Sequence, residues 1–490
     1  MRNPVLLLAA TAVALSPAVL AAQSPVRYLD QREVAEAQKQ HAELLAEFGG
    51  AETGARAAYV ESVGRRVAAY SGVANPGQSF RFTTLNSAVE NAFAVPGGYV
   101  YITRQLMTLM DDESQLAFAL GHETGHISGN HSQARQSAAR RNSMGGILGV
   151  LLGSVLGGGI GNVISQMSQQ RAQLATLSFS REQEYQADTL GTRYMVAAGY
   201  DPAGGPGILA ALTRASALQG RVQGRTNRQT PEWASTHPLS ENRMQRALAG
   251  ARATGRLGTG IRNRDPFLAQ LEGIYVDDDP TQGVIEGRSF THPDLRIQFS
   301  VPPGYLMQNG TRAVTIQGSA GQAQFSGGRY GGSIENYIYQ VIQQLTGGRQ
   351  QLQVPPPQRT TINGFPAAFT TARANTSSGV VDVSVMAYQW DANTVYHFVM
   401  LTRGGAGIGP FAQMVDSLRR IAPAEAAAIR PRIIDVVTVR AGDTVQSLAS
   451  RMAYRDFQLD RFLTINGLNT GSRLVPGQKV KLVVYGALRT

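Results

Sequence analysis

Two histidines spaced for a single metal ion stand in the segment His122-Glu123-Thr124-Gly125-His126. Residues four apart lie on the same face of a helix, so both imidazoles can reach one ion. Imidazole nitrogen is a good zinc ligand, but a tetrahedral zinc site needs two more donors. Glu123 projects beside the pair, where its carboxylate can take a proton from water at the metal. The segment therefore predicts a zinc-dependent hydrolytic site.

The helix that must carry this segment is predicted to begin after Asp111-Asp112-Glu113, which supplies a capping residue and first-turn acids. Leu116, Leu120 and Ile127 give it an apolar stripe. Gly125 costs a helix about 1 kcal/mol relative to alanine. We therefore expect Gly125 to let another backbone or the metal site approach closely.

A further ligand is expected from a second helix, where Glu184 and Asp188 stand four residues apart. Glu184 can bind the metal. Asp188, one turn later, can accept a hydrogen bond from a ligand imidazole and fix its tautomer. A solvated acidic face is the alternative for this pair, but the chain offers the histidines no better carboxylate donor.

These motifs resemble those of the HtpX- and BepA-type zinc metallopeptidases, a gluzincin family that combines H-E-x-x-H with a downstream E-x-x-x-D. The resemblance covers about residues 25–255. It implies one Zn²⁺ ion per chain, bound by His122, His126 and Glu184, with Glu123 as the general base. Four stretches carry it: Asn91-Ala92-Phe93-Ala94 with Pro96-Gly97-Gly98, the His122 helix through His131-Ser132, Ser180 to Asp188, and Thr236-His237-Pro238 with Arg243.

The resemblance also implies a place for the substrate. In similar proteins an extended peptide pairs with the strand that matches this part of the chain, which is β-strand addition at a sheet edge. The substrate-binding residues expected on this basis are Asn91, Ala92, Phe93 and Ala94.

Two further residues near the metal follow from the resemblance. His237 and Arg243 lie close to the metal in relatives, and either could stabilise the oxyanion of the tetrahedral intermediate. His237 could instead take the fourth zinc position and hold the enzyme latent. His131 also matches the family pattern, and for it we expect a packing or capping role.

The elements around the site are predicted to be mostly helical to about residue 255. Helical spacing runs from Val34 to Phe48 and again from Tyr59 to Val67. The span Phe80 to Leu85 is typical of a strand. A second strand pattern, Ala92 to Ile102, is interrupted by Pro96-Gly97-Gly98.

The chain changes in character after about residue 285. Alternation at Ile297, Phe299 and Val301 indicates a half-buried strand, and 334–345 has helical spacing. Strand patterns on either side of Asp391-Ala392-Asn393 predict a hairpin. This α+β part resembles a PsbP-like fold, and we find no catalytic cluster in it.

A glycine-rich segment, 144–164, separates the predicted ligands and contains no charged residue. Glycine at every fourth position from 145 to 161 is the spacing of close helix packing, often in membranes. A full crossing is excluded by topology, because His126 and Glu184 must meet and no second apolar span lies between them. We expect contact with the membrane surface, self-association, or a lid over the site.

The residues from Val436 onward predict a strand to Arg440, two short helices and a final strand at Val480–Val484. This β-α-α-β order, with Gly442-Asp443-Thr444, Asn466 and Pro476-Gly477-Gln478, resembles a LysM module over about 435–485. Such modules bind N-acetylglucosamine polymers, including peptidoglycan, so the resemblance implies a tether to the wall. A small structural cap is the alternative.

Bulk features indicate export. Arg2, the apolar run from Val5 to Leu15 and small residues to Ala22 follow the order of a secretory signal peptide. A membrane anchor is the alternative, but the apolar run is shorter than the roughly 20 residues of a span. The chain has no cysteine, which excludes disulfides, thiolate nucleophiles and lipoprotein attachment. A net charge of +11 favours anionic surroundings, and no nucleic-acid partner is predicted.

We therefore expect a multidomain α+β protein with a signal peptide over 1–22, a helix-rich zinc metallopeptidase domain with a small sheet over 23–262, an α+β domain over 280–425 and a LysM module over 432–490. It is expected in the periplasm of a Gram-negative bacterium, at the membrane or the peptidoglycan. The expected activity is cleavage of misfolded exported or outer-membrane proteins. Two alternatives stay open: a peptidoglycan-anchored chaperone or scaffold with a latent protease site, and a zinc-dependent cell-wall amidase.

Overall fold

The computed structural model describes residues 26–131, 179–222, 237, 241–345, 353–376 and 379–487. The predicted signal peptide, the glycine-rich segment 144–164 and the polar stretch 223–236 lie outside the described residues. Within the described ranges, no helix combines the length and the apolar character that crossing a membrane requires.

The first half of the chain is built from helices around a small sheet. Its helices are α1 (Gln31–Glu47), α2 (Gly54–Ala68), α3 (Pro76–Ser79), α4 (Arg104–Thr108), α5 (Glu113–Ser128), α6 (Arg181–Ala197), α7 (Gly204–Val222), α8 (Glu241–Ala253) and α9 (Arg264–Leu271). Its strands are β1 (Arg81–Leu85), β2 (Ala92–Val95) and β3 (Tyr99–Thr103), followed by the short β4 (Tyr275–Val276). The predicted helices and strands of this part are confirmed.

Helix α5 runs through the centre of this half, and its residues from Glu113 to Ile127 are all buried. It begins as the sequence predicts, because Asp112 Oδ1 accepts hydrogen bonds from the backbone N–H groups of Ser114 and Gln115. The other oxygen of Asp112 pairs with Arg262 at 2.7 Å. The helix that carries the histidine pair is therefore fixed at its first turn.

The small sheet has the order β1-β3-β2, with β1 parallel and β2 antiparallel to β3. Apolar side chains of α1, among them Ala37 and Leu44, form a cluster with Val95 and Tyr101 on one face of the sheet. Helix α5 packs against β2 and β3. Strand β2 is thus left at an edge beside the helix that carries the histidine pair.

The middle of the chain is an α+β unit, as predicted. Its strands are β5 (Val284–Glu286), β6 (Ser289–His292), β7 (Ile297–Ser300), β8 (Leu306–Asn309), β9 (Val314–Gly318), β10 (Gly321–Arg329), β11 (Gln358–Ile362), β12 (Phe365–Thr376), β13 (Gly379–Gln389), β14 (Thr394–Arg403) and β15 (Arg419–Arg420). Its helices are α10 (Ile334–Leu345), α11 (Ala412–Ser417) and α12 (Pro423–Ala427). An antiparallel sheet of order β11-β12-β13-β14-β10-β9-β8 lies beside a smaller one of order β15-β7-β6-β5.

The C-terminal unit has the predicted order of β16 (Arg432–Thr438), α13 (Val445–Ala449), α14 (Gln458–Ile465) and β17 (Lys479–Tyr485). Strand β16 pairs on one side with β17 and on the other with β4, which belongs to the first half of the chain. Buried residues of this unit, such as Phe462 and Leu482, share one hydrophobic cluster with Leu116 and Phe267. The unit is therefore packed onto the first half, whereas the sequence suggested a tether.

Candidate metal centre

Four buried side chains from three parts of the chain bring their donor atoms together. They are His122 and His126 of α5, Glu184 of α6, and His237, and one ligand atom of each lies within 4.8 Å of the other three. The Nε2 atoms of the two α5 histidines are 3.0 Å apart. Glu184 places Oε1 at 3.4 Å from His126 Nε2 and Oε2 at 3.6 Å from His122 Nε2. The predicted ligands thus converge.

These separations suit a tetrahedral zinc ion. Zinc lies about 2.0–2.2 Å from nitrogen and oxygen ligands, which places tetrahedral donor atoms about 3.3 Å from one another. Two imidazoles and one carboxylate are also a donor set that zinc accepts in hydrolytic sites. His237 Nδ1, at 3.3 Å from His122 Nε2 and 2.9 Å from Glu184 Oε1, stands at the position of a fourth donor.

The charge states of His126 and Glu184 suit metal binding. Burial holds the pKa of His126 well below its usual value, although its hydrogen bond to Glu184 opposes the shift. Burial favours the neutral acid of Glu184, but His237, His126 and Arg243 outweigh it and hold the pKa of this carboxyl well below its usual range. His126 is therefore a neutral imidazole and Glu184 a carboxylate, and these are the forms that bind a metal ion.

Glycine allows α5 and α6 to cross closely enough for this convergence. A Cβ atom on Gly125 would lie 3.2 Å from the carbonyl oxygen of Ala187, which confirms the predicted close approach. Gly191, on the other helix, is tighter still, because its Cβ would lie 2.8 Å from the backbone nitrogen of His122. The sequence did not indicate this role for Gly191.

Asp188 holds the imidazole of His122 from behind. Its Oδ1 lies 2.9 Å from His122 Nδ1, the nitrogen that faces away from the other ligands. Burial opposes ionisation, but Arg243 and His122 lower the pKa of Asp188 to about 2. This contact is the one predicted for Asp188, and it leaves His122 Nε2 available for a metal ion.

Arg243 is buried and faces carboxylates on two sides. Its Nε and Nη2 each donate to Asp188 at 2.8 Å, and Nη1 lies 2.6 Å from Glu184 Oε2. These contacts are those of a residue that positions both carboxylates. An oxyanion-stabilising role for Arg243 stays a prediction.

Glu123 lies beside the ligand cluster. It is 1% exposed, and neither carboxylate oxygen has a hydrogen-bond partner among the described residues. Burial raises the pKa of Glu123, with His237 and His122 acting in the opposite direction. A buried carboxylate without hydrogen bonds is more basic than an exposed one, as a general base requires.

His237 connects the ligand cluster to Glu123. Its Nδ1 faces Glu184, and its Nε2 lies 3.6 Å from Glu123 Oε1. Burial lowers the pKa of His237, but Glu184 and Glu123 more than offset this and raise it. Nδ1 is the atom that could serve as a fourth donor, and both the fourth-donor role and the oxyanion role of His237 stay predictions.

Three residues near the site make contacts that the sequence did not predict. The ring of Phe179 stacks on His126 with centroids 3.7 Å apart. His131 Nδ1 lies 2.9 Å from His126 Nδ1, and His131 Nε2 lies 3.0 Å from Gln186 Oε1. For His131 this goes beyond packing or capping. The presence of three histidines in H-E-x-x-H-x₄-H was the signal that could have indicated it.

The predicted substrate strand is an edge strand that packs on α5. Ala92 and Ala94 turn their side chains to the main core, whereas Phe93 packs with Phe48 and Tyr101 on the opposite face. The backbone of Asn91 pairs with Thr103. Backbone groups in an antiparallel pair face the partner at alternate residues, so those of Ala92 and Ala94 face away from β3. Ala92 is fully buried there and Ala94 is half-buried.

Comparison with known proteins agrees with this site. Residues 54–251 match the model of peptidase family M48, and residues 437–483 match the model of the LysM domain. The chain therefore contains a domain of a metallopeptidase family and a LysM domain. All the residues of the ligand cluster lie within the first match.

Among named proteins, the chain is similar to the beta-barrel assembly-enhancing protease of Escherichia coli strain K12, with 29% identity over 233 residues. The protein of the same name from Escherichia coli O157:H7 is 30% identical over the same length. Each alignment covers 44% of this chain and 43% of the relative. The chain thus spans less than half the length of these curated relatives.

Solved structures give weaker likenesses. The solution structure of cyanobacterial PsbP from Synechocystis sp. PCC 6803 is 10% identical, covering 28% of this chain and 98% of that one, with a TM-score of 0.23. The crystal structure of LpqN from Mycobacterium tuberculosis is 9% identical, covering 26% of this chain and 83% of that one, with a TM-score of 0.20. TM-scores this low do not establish a shared fold, so the PsbP-like fold stays a prediction.

Proposed function

We propose that the protein is a zinc-dependent metalloendopeptidase of the bacterial cell envelope. The observation that carries the proposal is the convergence of His122, His126 and Glu184, with the buried Glu123 carboxylate beside them, which makes no hydrogen bond among the described residues. The match to peptidase family M48 supports it independently. A bound zinc ion would polarise the scissile carbonyl and make a water molecule acidic enough to deprotonate near neutral pH.

The protein's own residues supply the remaining chemistry. An extended substrate adds to the edge of β2 at the backbone of Ala94, which is half-buried, whereas that of Ala92 is fully buried. Glu123 accepts the proton of the attacking water and delivers it to the leaving amine. His237 either stabilises the oxyanion or occupies the fourth metal position until substrate arrives.

The deciding experiment compares the wild type with Glu123→Gln on an unfolded protein substrate. We expect the variant to bind zinc as the wild type does and to lose peptide cleavage, because an amide cannot take the proton. Cleavage that persists in the variant and still responds to chelator would contradict the assignment. A cell-wall amidase would instead release products from purified peptidoglycan in the same zinc-dependent manner.

The envelope setting is proposed from three features: the signal-like residues 1–22, the LysM domain, and the name of the relatives, which places a protease in β-barrel assembly. We propose a periplasmic protein whose substrates are misfolded exported or outer-membrane proteins. The boundaries of 23–262, 280–425 and 432–490 belong to this proposal.

The LysM domain is proposed to bind peptidoglycan. Its two loops, 440–444 and 469–477, are mostly exposed, and Val475 is 62% exposed, while the opposite side is packed on the first half of the chain. The test is co-sedimentation of the full chain with purified peptidoglycan. Binding that survives digestion of the glycan strands would count against a glycan ligand.

A further inference from the structure

The two metal-facing histidines of α5 each have a second ring nitrogen, and each of these nitrogens has its own partner. His122 Nδ1 faces the Asp188 carboxylate at 2.9 Å. His126 Nδ1 faces another imidazole, His131 Nδ1, at 2.9 Å. The far nitrogen of His131, Nε2, faces Gln186 Oε1 at 3.0 Å. The first arrangement is a familiar support for a metal ligand, whereas the second requires a defined placement of protons.

The direction of the hydrogen bonds follows from which nitrogen binds metal. His126 turns Nε2 toward Glu184 and His122, so this nitrogen must offer its lone pair and the ring proton must be on Nδ1. That N–H donates to His131 Nδ1, which therefore carries no proton. The proton of His131 is then on Nε2, where it donates to the amide oxygen of Gln186.

The opposite direction is incompatible with metal binding. A donor at position 186 would take the lone pair of His131 Nε2 and move the His131 proton to Nδ1. That N–H would in turn point at His126 Nδ1 and force the proton of His126 onto Nε2, the nitrogen that must hold the ion. A donor in the place of Gln186 Oε1 is thus incompatible with a competent His126, whereas an acceptor there permits it.

Packing holds the histidines in place for this chain of bonds. His126 and His131 are 1% and 2% exposed. Gln183 Nε2 donates to the backbone oxygen of His131 at 3.1 Å, and Phe179 lies flat on the His126 ring. Gln183, Gln186 and Asp188 all belong to α6, the helix that carries Glu184. One helix therefore supplies a ligand and supports the other two.

We propose that His131 is a positioning residue for the metal site: it accepts the Nδ1 proton of His126, donates its own to Gln186, and thereby fixes the tautomer and ring orientation in which His126 binds a divalent metal ion. This inference rests on the proposed metal site and is independent of the substrate and the cellular role.

The test measures zinc affinity of the full chain by competition with a chromophoric chelator. His131→Leu removes the acceptor and should weaken zinc binding about 10- to 100-fold. His131→Asn places an amide oxygen where Nδ1 stands and should recover most of that loss. Glu182→Gln, an exposed change on the same helix, is the control with unchanged affinity. Equal affinity for wild type and His131→Leu would overturn the proposal.

Gln186 gives a second pair of variants that does not disturb the core, because this side chain is at the surface. Gln186→Glu keeps an acceptor and should retain zinc affinity, whereas Gln186→Lys offers only donors and should weaken it. Equal affinities for these two variants would contradict the direction of the hydrogen bonds, even if His131→Leu failed to fold.

Nitrogen-15 NMR of histidine-labelled, zinc-loaded protein reads the tautomers without any activity assay. We expect His126 protonated on Nδ1 and His131 on Nε2. A wild type that binds no zinc would overturn this proposal together with the proposed function. A wild type that binds one zinc ion while His131 is protonated on Nδ1 would overturn this proposal alone.

Discussion

At the scale of single residues, experiment can distinguish two roles for Arg243. One is the predicted stabilisation of the oxyanion, and the other is the positioning of carboxylates that its contacts indicate. Its guanidinium is 1% exposed and meets both Asp188 and Glu184. Removing one member of a buried ion pair leaves the other charge uncompensated, which typically costs about 3–5 kcal/mol. Its contacts therefore predict a large effect on stability as well as on activity.

We predict that Arg243→Met lowers the free energy of unfolding of the metal-free protein by about 3 kcal/mol, measured by urea denaturation in the presence of chelator. Arg252→Met is the matched control, since this arginine is exposed on the same helix. A variant with wild-type stability but a much lower kcat would support the oxyanion role instead.

The sequence predicted the residues of the ligand cluster better than those that support them. The spacing of H-E-x-x-H predicted that both imidazoles share one helix face, and the resemblance to the zinc metallopeptidases implied Glu184 and Asp188 from a second helix. Phe179 and Gln186 reach His126 and His131 only because α6 packs across α5. No spacing along the chain encodes such contacts.

At the scale of elements, the crossing of α5 and α6 decides whether a ligand set forms. A Cβ on Gly191 would lie 2.8 Å from His122 N and 3.1 Å from the Gly121 carbonyl carbon, and both are backbone atoms that cannot turn away. The helices would have to separate, and Glu184 and Asp188 would move away from the histidines with α6.

We predict that Gly191→Ala destabilises the protein by about 1–3 kcal/mol, as overpacking does, and weakens zinc binding. Thermal unfolding and chelator competition measure the two effects. Gly250→Ala is the control, because none of the described residues lies within 4 Å of a Cβ at this helical position. That change should be neutral or stabilise by up to about 1 kcal/mol. Equal stability and equal zinc affinity for the two variants would contradict the close crossing of α5 and α6.

Element types were predictable here, while their contacts were not. Gly125 was expected to permit a close approach, because glycine inside a helix needs a reason. Gly191 stands on the same face of its helix as Glu184 and Asp188, but the spacing does not give the distance at which α6 crosses α5. That distance is set by packing across the whole core.

At the scale of the whole molecule, Lys481 joins the C-terminal unit to the start of α5, the helix that carries the histidine pair. The side chain is 1% exposed, and Nζ donates to the carbonyl oxygens of Thr108 and Met110 at 3.0 and 2.5 Å. Asp111 Oδ1 lies 3.5 Å away. These acceptors form the turn between α4 and α5, so the LysM domain supports the helix of His122.

We predict that Lys481→Met lowers the free energy of unfolding by about 1–3 kcal/mol at pH 7, because the two carbonyl groups lose their donor. Hydrogen exchange should show lost protection around 108–116 as well as in the LysM domain. Lys479→Met, on the same strand but 37% exposed, should change stability by less than about 0.5 kcal/mol. Unchanged hydrogen-exchange protection at 108–116 in Lys481→Met would instead favour a LysM domain that acts as an independent tether.

The same lysine predicts a dependence on pH. Burial, opposed by Asp111, lowers the pKa of Lys481 from 10.5 to about 8. Between these values the unfolded chain binds more protons than the folded one, so stability rises with pH through this window. Relative to Lys481→Met, the wild type should gain roughly 3 kcal/mol between pH 7.5 and pH 10.5, measured by urea denaturation. A stability difference between the wild type and Lys481→Met that stays constant with pH would contradict the lowered pKa of Lys481.

The domain order of the molecule was predictable, but its assembly was not. The β-α-α-β pattern after Pro431 identified the LysM unit from its own residues. A lysine on a strand is normally exposed, so Lys481 gave no indication of a buried contact with Asp111, 370 positions earlier. The pairing of β4 with β16 was equally hidden, because β4 is only two residues long.

The central claim is that His122, His126 and Glu184 hold one metal ion beside Glu123. The most direct measurement is anomalous diffraction at the zinc edge from crystals of the full chain purified without chelator. We predict a single strong peak about 2.0–2.2 Å from His122 Nε2, His126 Nε2 and a Glu184 carboxylate oxygen. A zinc-supplemented crystal with no peak there, or with Glu184 turned away from the ion and no other donor in its place, would contradict the account.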